Sequence, residues 1–319
     1  MTVRKFREFE AYAAAVGDAD LQMMLPRLKR PRWELSAFYV NQLHLQFGVE
    51  GGGVIAEGTA LSTGRFLYVP LSGLHHANGI PLGTHSIFVI DPGCEFTISV
   101  LEEHRWCSIY IPSDVSNDGV IEGEPDDTAP KGARVVELGT HEIGALRRLL
   151  LRLRYADEDW PNGANADAAR SLRAELDAVC RRISISTADE APGAATGRPL
   201  LVRSELARIV RDRIECGGDE GVTIEELAVA TDVSQRTLRS LFLEYFGVPP
   251  RRYLLIRRLN QVRSVLRTSE PDETTVTSVA AQFGFWHLGR FAGTYSELFG
   301  ETPSATLHQA RRRQPAQCI

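Results

Sequence analysis

Lysine is almost missing from this 319-residue chain: it occurs only at Lys5, Lys29 and Lys131, so arginine carries nearly all the positive charge. Cysteine is scarce too. Cys94, Cys107, Cys180, Cys216 and Cys318 are odd in number, scattered and never in a CxxC pair, which argues against a disulfide framework or a zinc ribbon. No run approaches the ~20 apolar residues of a membrane span. The amino terminus, MTVRKFREFEAYAAA, lacks the apolar stretch of a signal peptide. A cytoplasmic protein with no membrane partner is expected.

Enzyme signatures are absent as well. No GxSxG or HExxH occurs. Gly51–Gly53 has no GK[ST] behind it and reads as a hairpin turn rather than a phosphate loop. The adjacent His75 and His76 would point to opposite faces of a strand, which does not suit a shared metal. Catalytic residues, metal and cofactor are therefore not expected.

The most informative feature present is an internal repeat. TIEELAVATDVSQRTLRSLFLEYFGVPP (Thr223 to Pro250) and VTSVAAQFGFWHLGRFAGTYSELFGETP (Val276 to Pro303) each read as a short apolar helix, a tight turn, a second helix with one apolar face, and a Gly and Pro stop. Ala228 pairs with Ala280, Asp232 with Gly284 and Val233 with Phe285. Leu238 with Phe291, Phe242 with Tyr295, Gly247 with Gly300 and Pro250 with Pro303 pair at a spacing one residue longer. This is the sequence form of a helix-turn-helix, whose second helix lies in the DNA major groove. Between the copies, Arg251 to Arg267 reads as one long helix with Leu255, Leu259, Val262 and Leu266 on one face.

Charge is segregated in the same region. The formal net charge is -5, yet Ser234 to Arg267 holds Arg236, Arg239, Arg251, Arg252, Arg257, Arg258, Arg263 and Arg267 against the single acid Glu244. A composition biased towards arginine explains the residue type but not the missing acids, so the strip is expected to face phosphates.

Upstream, Arg4 to Val16 reads as an amphipathic helix with Phe6, Phe9 and Ala13 on one face. From Leu21 to Pro112, short Val, Ile, Phe and Leu runs broken by Gly, Pro, Asn and Asp predict an antiparallel β-domain, a sandwich or small barrel. Ser116 to Gly132 reads as a surface loop. Ile143 to Tyr155 and Ala166 to Ile183 carry leucines at helical spacing, and these faces either cover their own sheet or meet a second copy. Ser184 to Pro199 has the composition of a tether, and a helix near Leu200 to Glu215 opens the last part.

The repeat and its connecting helix resemble the DNA-binding domain of the AraC/XylS family of bacterial transcription regulators, over about Leu200 to Leu307. Ala228, Val233, Ser234, Leu238, Phe242, Gly247, Pro250, Val279, Ala280, Gly284, Phe285, Phe291, Phe299, Gly300 and Pro303 carry it. The resemblance implies an α+β chain: an effector-sensing and dimerisation domain over 1–185, a cupin-like antiparallel β-domain with two added helices; a flexible linker over 186–199; and over 200–313 an all-α domain with two helix-turn-helix motifs joined by a long helix. It implies a sequence-specific DNA-binding transcription factor, an effector-responsive activator, with promoter double-stranded DNA, RNA polymerase, a small-molecule effector and a second copy of the chain as partners. An effector-independent dimeric regulator and a cupin-type enzyme fused to a DNA-binding module are the alternatives.

Candidate DNA contacts follow from position. Gln235, Arg236, Arg239 and Ser240 lie opposite the apolar face of the first recognition helix, with Arg236 and Arg239 suited to guanine O6 and N7 or to phosphate. His287, Leu288, Gly289 and Arg290, followed by Gly293, occupy the equivalent side of the second. Trp286, at the turn, is expected to pack, given its large apolar area. In the β-domain, Phe47, Tyr68, His75, Phe88, Trp106 and Tyr110 form a candidate effector lining, although each taken singly is ordinary core.

Overall fold

The computed structural model describes residues 3–26, 32–40, 42–113, 132–154, 174, 200–217, 221–270 and 274–313, and the side chains of all of these except 200–204 and 310–313. The chain divides into two units, strands first and helices second.

The first unit holds β1 (Arg4–Phe6), α1 (Phe9–Ala13), β2 (Ala19–Met24), β3 (Trp33–Val40), β4 (Leu43–Glu50), β5 (Val54–Ala60), β6 (Gly64–Ser72), β7 (His75–Ala77), β8 (Ile80–Leu82), β9 (Ser86–Ile90), β10 (Glu95–Val100), β11 (His104–Pro112), β12 (Ala133–Glu137) and α2 (Thr140–Arg154). The strands form a sheet in the order β1-β3-β4-β11-β6-β9-β12 and another in the order β2-β5-β10-β7-β8. Strand alternation gives the larger sheet two different faces. One is apolar: Leu43, Leu45, Phe47, Leu67, Val69, Ile87, Val89, Cys107 and Ile109 pack with Ile143, Leu146, Leu149, Leu150 and Leu153 of α2. The opposite face, which includes Gln46, Glu50, Tyr68, Trp106 and Ser108, is also buried but mixes aromatic and polar groups. It meets the smaller sheet through Phe66 on Phe96, 6.0 Å between ring centres, and Tyr68 on His75, 5.6 Å.

Several expectations change here. The predicted helix from Arg4 to Val16 is a strand followed by a five-residue helix: the chain from Arg4 to Phe6 pairs with β3, Arg4 opposite Leu35 and Phe6 opposite Trp33. Sheet pairing satisfies the backbone groups that a lone helix would have satisfied internally. The β-region also continues past Pro112, because β12 pairs with β9 at the sheet edge. The leucine face of α2 is spent on its own sheet, which removes it from any contact with a second copy. Of the helix expected over Ala166 to Ile183 only Ala174 is described, as a helical residue; most of the loop Ser116 to Gly132, and the tether Ser184 to Pro199, lie outside the described residues.

The second unit is helical: α3 (Leu200–Cys216), α4 (Ile224–Thr231), α5 (Gln235–Tyr245), α6 (Pro250–Thr268), α7 (Val276–Gln282), α8 (Leu288–Phe299) and α9 (Pro303–Arg313). The repeat seen in sequence recurs in the backbone. Thr223 opens α4 with a capping box, its hydroxyl accepting from Glu226 N at 3.2 Å while Glu226 accepts from Thr223 N at 2.7 Å. Thr275 opens α7 in the same way with Ser278, at 3.1 and 3.2 Å. Gly247 and Gly300, matched in the two copies, follow α5 and α8 with φ of 69° and 72°, a left-handed stop that glycine takes without a Cβ clash.

The long helix α6 is centred where the arginine-rich segment predicts it, but its faces differ. Tyr253, Leu254, Ile256, Leu259, Val262 and Leu266 are buried, while Leu255 is only half-buried.

Candidate nucleic-acid interface

Each recognition candidate is held by aromatic packing on the reverse side of its helix. Behind α5, Phe242 lies 5.1 Å from Phe246 and 5.3 Å from Tyr253, and Phe246 lies 4.3 Å from Tyr253. Leu238 and Leu241 are buried beside them. Behind α8, Phe291 packs on Phe285 at 4.9 Å and on Tyr295 at 5.7 Å, and Tyr295 on Phe299 at 4.6 Å. The Tyr295 hydroxyl, held above its usual range by burial, donates to Thr306 at 2.9 Å. One face of each helix is thereby fixed inward, and the other is left to solvent.

All eight residues singled out from the sequence lie on those open faces. Gln235, Arg236, Arg239 and Ser240 on α5 are exposed, as are His287, Leu288, Gly289 and Arg290 at the start of α8. Ser234 caps α5, accepting from Thr237 N at 3.2 Å. Gln235 donates to Glu225 of the preceding helix at 3.3 Å, which ties α5 to α4. Among the described residues Arg236, Arg239 and Arg290 make no ion pair, so their guanidinium groups have no protein anion to leave.

The arginine strip is not uniform. Arg263 is buried: it donates to Glu301 at 2.6 Å and its guanidinium lies 4.6 Å from the Phe299 ring centre. Arg258 sits 5.3 Å over the Phe285 ring, and its partial burial lowers its pKa. Both belong to the scaffold, and Arg263 is removed from the set of phosphate-facing groups. Trp286 is corrected in the other direction. Expected to pack, it is 75% exposed, while the preceding residue, Phe285, is half-buried and makes the ring contact with Phe291.

The six effector candidates of the β-domain do not form one cluster. Tyr68, His75 and Trp106 meet on the buried mixed face: Tyr68 donates to His75 Nδ1 at 2.8 Å and stacks on Trp106 at 6.0 Å. Phe88 is the cross-strand neighbour of Tyr68, and Tyr110 lies farther along the same side of β11, its hydroxyl 2.6 Å from Thr63 Oγ1. Phe47 is on the opposite face, stacked on Phe38 within the core under α2.

Residues not foreseen complete that cluster. Glu50 Oε1 accepts from the Tyr12 hydroxyl at 2.7 Å and from Trp106 Nε1 at 2.9 Å, while His104 Nε2 stands 3.4 Å from Glu50 Oε2. Burial, with the Glu50 charge nearby, pushes the Tyr12 and Tyr68 phenols well above their usual range, so both remain donors. His75 donates from Nε2 to Ser72 O at 2.9 Å, and burial with His104 alongside lowers its pKa to about 4. The Trp106 indole lies against the backbone of Gly48, where no Cβ would fit. Among the described residues no group of three or more His, Cys, Asp or Glu is placed to share a metal ion, and no helix is long and apolar enough to cross a membrane.

Comparison with known proteins bears on the helical unit. A helix-turn-helix domain model matches residues 227–309. The XylDLEGF operon transcriptional activator of Pseudomonas putida is 37% identical over 91 residues, 28% of this chain and 28% of that protein. XylDLEGF operon transcriptional activator 2 of the same organism is 33% identical over 115 residues, 36% of this chain and 69% of that protein. The chain belongs to the AraC/XylS family of transcription regulators. Within that family it matches only 28% of the length of the first relative named. Among solved structures, the AraC-like transcriptional activator CuxR aligns at 14% identity with a TM-score of 0.43, covering 83% of this chain and 95% of that one.

Proposed function

We propose that this AraC/XylS-family chain is a sequence-specific DNA-binding transcription factor in which α4 with α5 and α7 with α8 act as two helix-turn-helix reading heads. The observation that carries this is the placement of eight candidate contact residues on the open faces of α5 and α8, with aromatic cores behind both helices. Recognition helices read base edges with such faces while neighbouring groups hold phosphates. In this reading residues 200–313 bind DNA, 186–199 tether, and 1–185 form a cupin-like domain that senses an effector and joins two copies. Activation of transcription is carried over from the named relatives, and RNA polymerase as the partner and the cytoplasm as the place belong to the same reading.

The buried mixed face of the larger sheet supports effector sensing. Small-molecule sites combine aromatic walls with a few placed polar groups, and Tyr68, His75 and Trp106 meet there with Glu50 and Tyr12. Calorimetric titration of the full chain with fractionated metabolite pools tests this part: heat that vanishes in Trp106→Ala supports it, and no heat from any pool contradicts it.

For the DNA reading, the test is selection of duplexes from a random-sequence pool by the full chain. Enrichment of one asymmetric motif is expected, and enrichment of none would overturn the assignment.

A further inference from the structure

The two reading heads present different chemistry. The first offers Gln235, Arg236 and Arg239, all exposed and polar. The second opens with a run of five exposed residues, Trp286 to Arg290, in which Trp286 is 75% and Leu288 42% exposed. Next to them, Gly289 and Gly293 lie four residues apart on the open side of α8, and a Cβ at either would have nothing within 4 Å. The surface there sets the apolar Trp286 and Leu288 beside His287 and Arg290, and at the two glycines it carries no side chain.

A single exposed apolar residue needs no explanation, but this arrangement is built. Phe285, half-buried, packs against Phe291 and has the Arg258 guanidinium 5.3 Å from its ring centre, so the turn is anchored while the next side chain, Trp286, stands in solvent. His287, which caps α8, makes no side-chain capping bond, leaving its ring outside as well. The two glycines let the helix axis come closer to a flat partner than any other residue would. The N-terminal residues of a recognition helix are those that meet base edges.

In the major groove, thymine is the base whose edge carries an apolar group, the C5-methyl. We propose that Trp286 and Leu288 make the second head a reader of thymine methyl groups, with Arg290 the charged contact beside them. This rests on the DNA-binding assignment above. It assigns a different code to each head: hydrogen bonds from α5, apolar contact from α8.

The test uses the full chain and the tightest duplex it selects from a random-sequence pool. Thymines are replaced by deoxyuridine, which removes only the methyl group, in one half of the site at a time. The wild type loses about fourfold in Kd for each contacted thymine in one half-site, the size expected for one buried methyl, and is indifferent in the other. Trp286→Ala, which removes a side chain already in solvent, keeps the wild-type melting temperature and shows a smaller thymine-to-uridine ratio than the wild type, and the double variant with Leu288→Ala binds the two duplexes alike. A Trp286→Ala variant that preserves the wild-type thymine-to-uridine ratio, or a wild type that shows no such ratio in either half, overturns the proposal while leaving DNA binding intact. Failure to select any duplex overturns both readings.

Discussion

Asp232 and Gly284 close the first helix of each repeat with the same left-handed bend, φ 49° and 73°. The residue after each donates to the carbonyl five positions back, Val233 to Ala228 O at 3.2 Å and Phe285 to Ala280 O at 2.8 Å. A left-handed residue with a Cβ costs about 1 to 2 kcal/mol, least for Asp and Asn. Gly284→Ala should therefore destabilise the chain by about 1 kcal/mol and Asp232→Gly should be neutral or stabilising. Urea denaturation of the two variants checks the pair, and a Gly284→Ala variant as stable as wild type would show that the turn relaxes.

Arg263 and Arg239 look interchangeable in sequence and should behave oppositely on mutation. Arg263→Ala leaves Glu301 without its cation in a mostly buried site and removes the contact with Phe299. It should cost about 2 to 3 kcal/mol of folding stability. Arg239→Ala, exposed and unpaired, should leave stability within about 0.5 kcal/mol of wild type.

Binding reverses that order. Arg236→Ala or Arg239→Ala should each lose about 1 to 3 kcal/mol on the selected duplex if the guanidinium contacts a base. Anisotropy titrations on selected and scrambled duplexes distinguish the roles: a loss confined to the selected duplex marks a base contact, and equal losses on both mark a phosphate clamp.

The interior of the β-domain should sense acid. His75 is neutral in the fold, with its pKa lowered to about 4 from 6.5. An unfolded chain takes up the proton first as pH falls, so the stability contributed by the neutral ring is complete above about 6.5 and is lost progressively down to about 4, where the folded state also protonates. The loss is on the order of 3 kcal/mol over that window. Thermal melts from pH 7 to 4 should show it, and His75→Gln should flatten the dependence. An unchanged slope in His75→Gln would place the acid sensitivity elsewhere.

The helical unit was legible in the sequence because its signals are local. Capping residues, glycine stops and the spacing of Leu238, Phe242, Phe291 and Tyr295 each act within a few residues, and the repeat states them twice. What the sequence did not reveal depends on pairing at a distance. β1 exists because β3 offers it an edge, and Glu50 becomes a hydrogen-bond centre only when Tyr12 and Trp106 are brought to it by three separate elements. Arg263 carries the same letter as its solvated neighbours, and only Glu301, beyond α8, marks it as buried. Phe47 and Trp106 were grouped by residue type, yet the register puts Phe47 opposite Cys107 and Trp106 opposite Gly48, on alternate sides of the sheet. Trp286 illustrates the reverse: size suggests packing, but it is the adjacent Phe285 that meets Phe291, and Trp286 stands in solvent.

The central claim, that two exposed helix faces of this chain read DNA sequence, is tested most directly by fluorescence anisotropy of the full chain on its selected duplex and on a scrambled duplex of equal length and composition, across a salt series. The account predicts that both affinities fall steeply with salt as arginines release counterions, and that the selected duplex stays favoured by about a thousandfold or more at physiological salt. Equal affinity for the two duplexes at every salt concentration, or no binding to either at low salt, would contradict it.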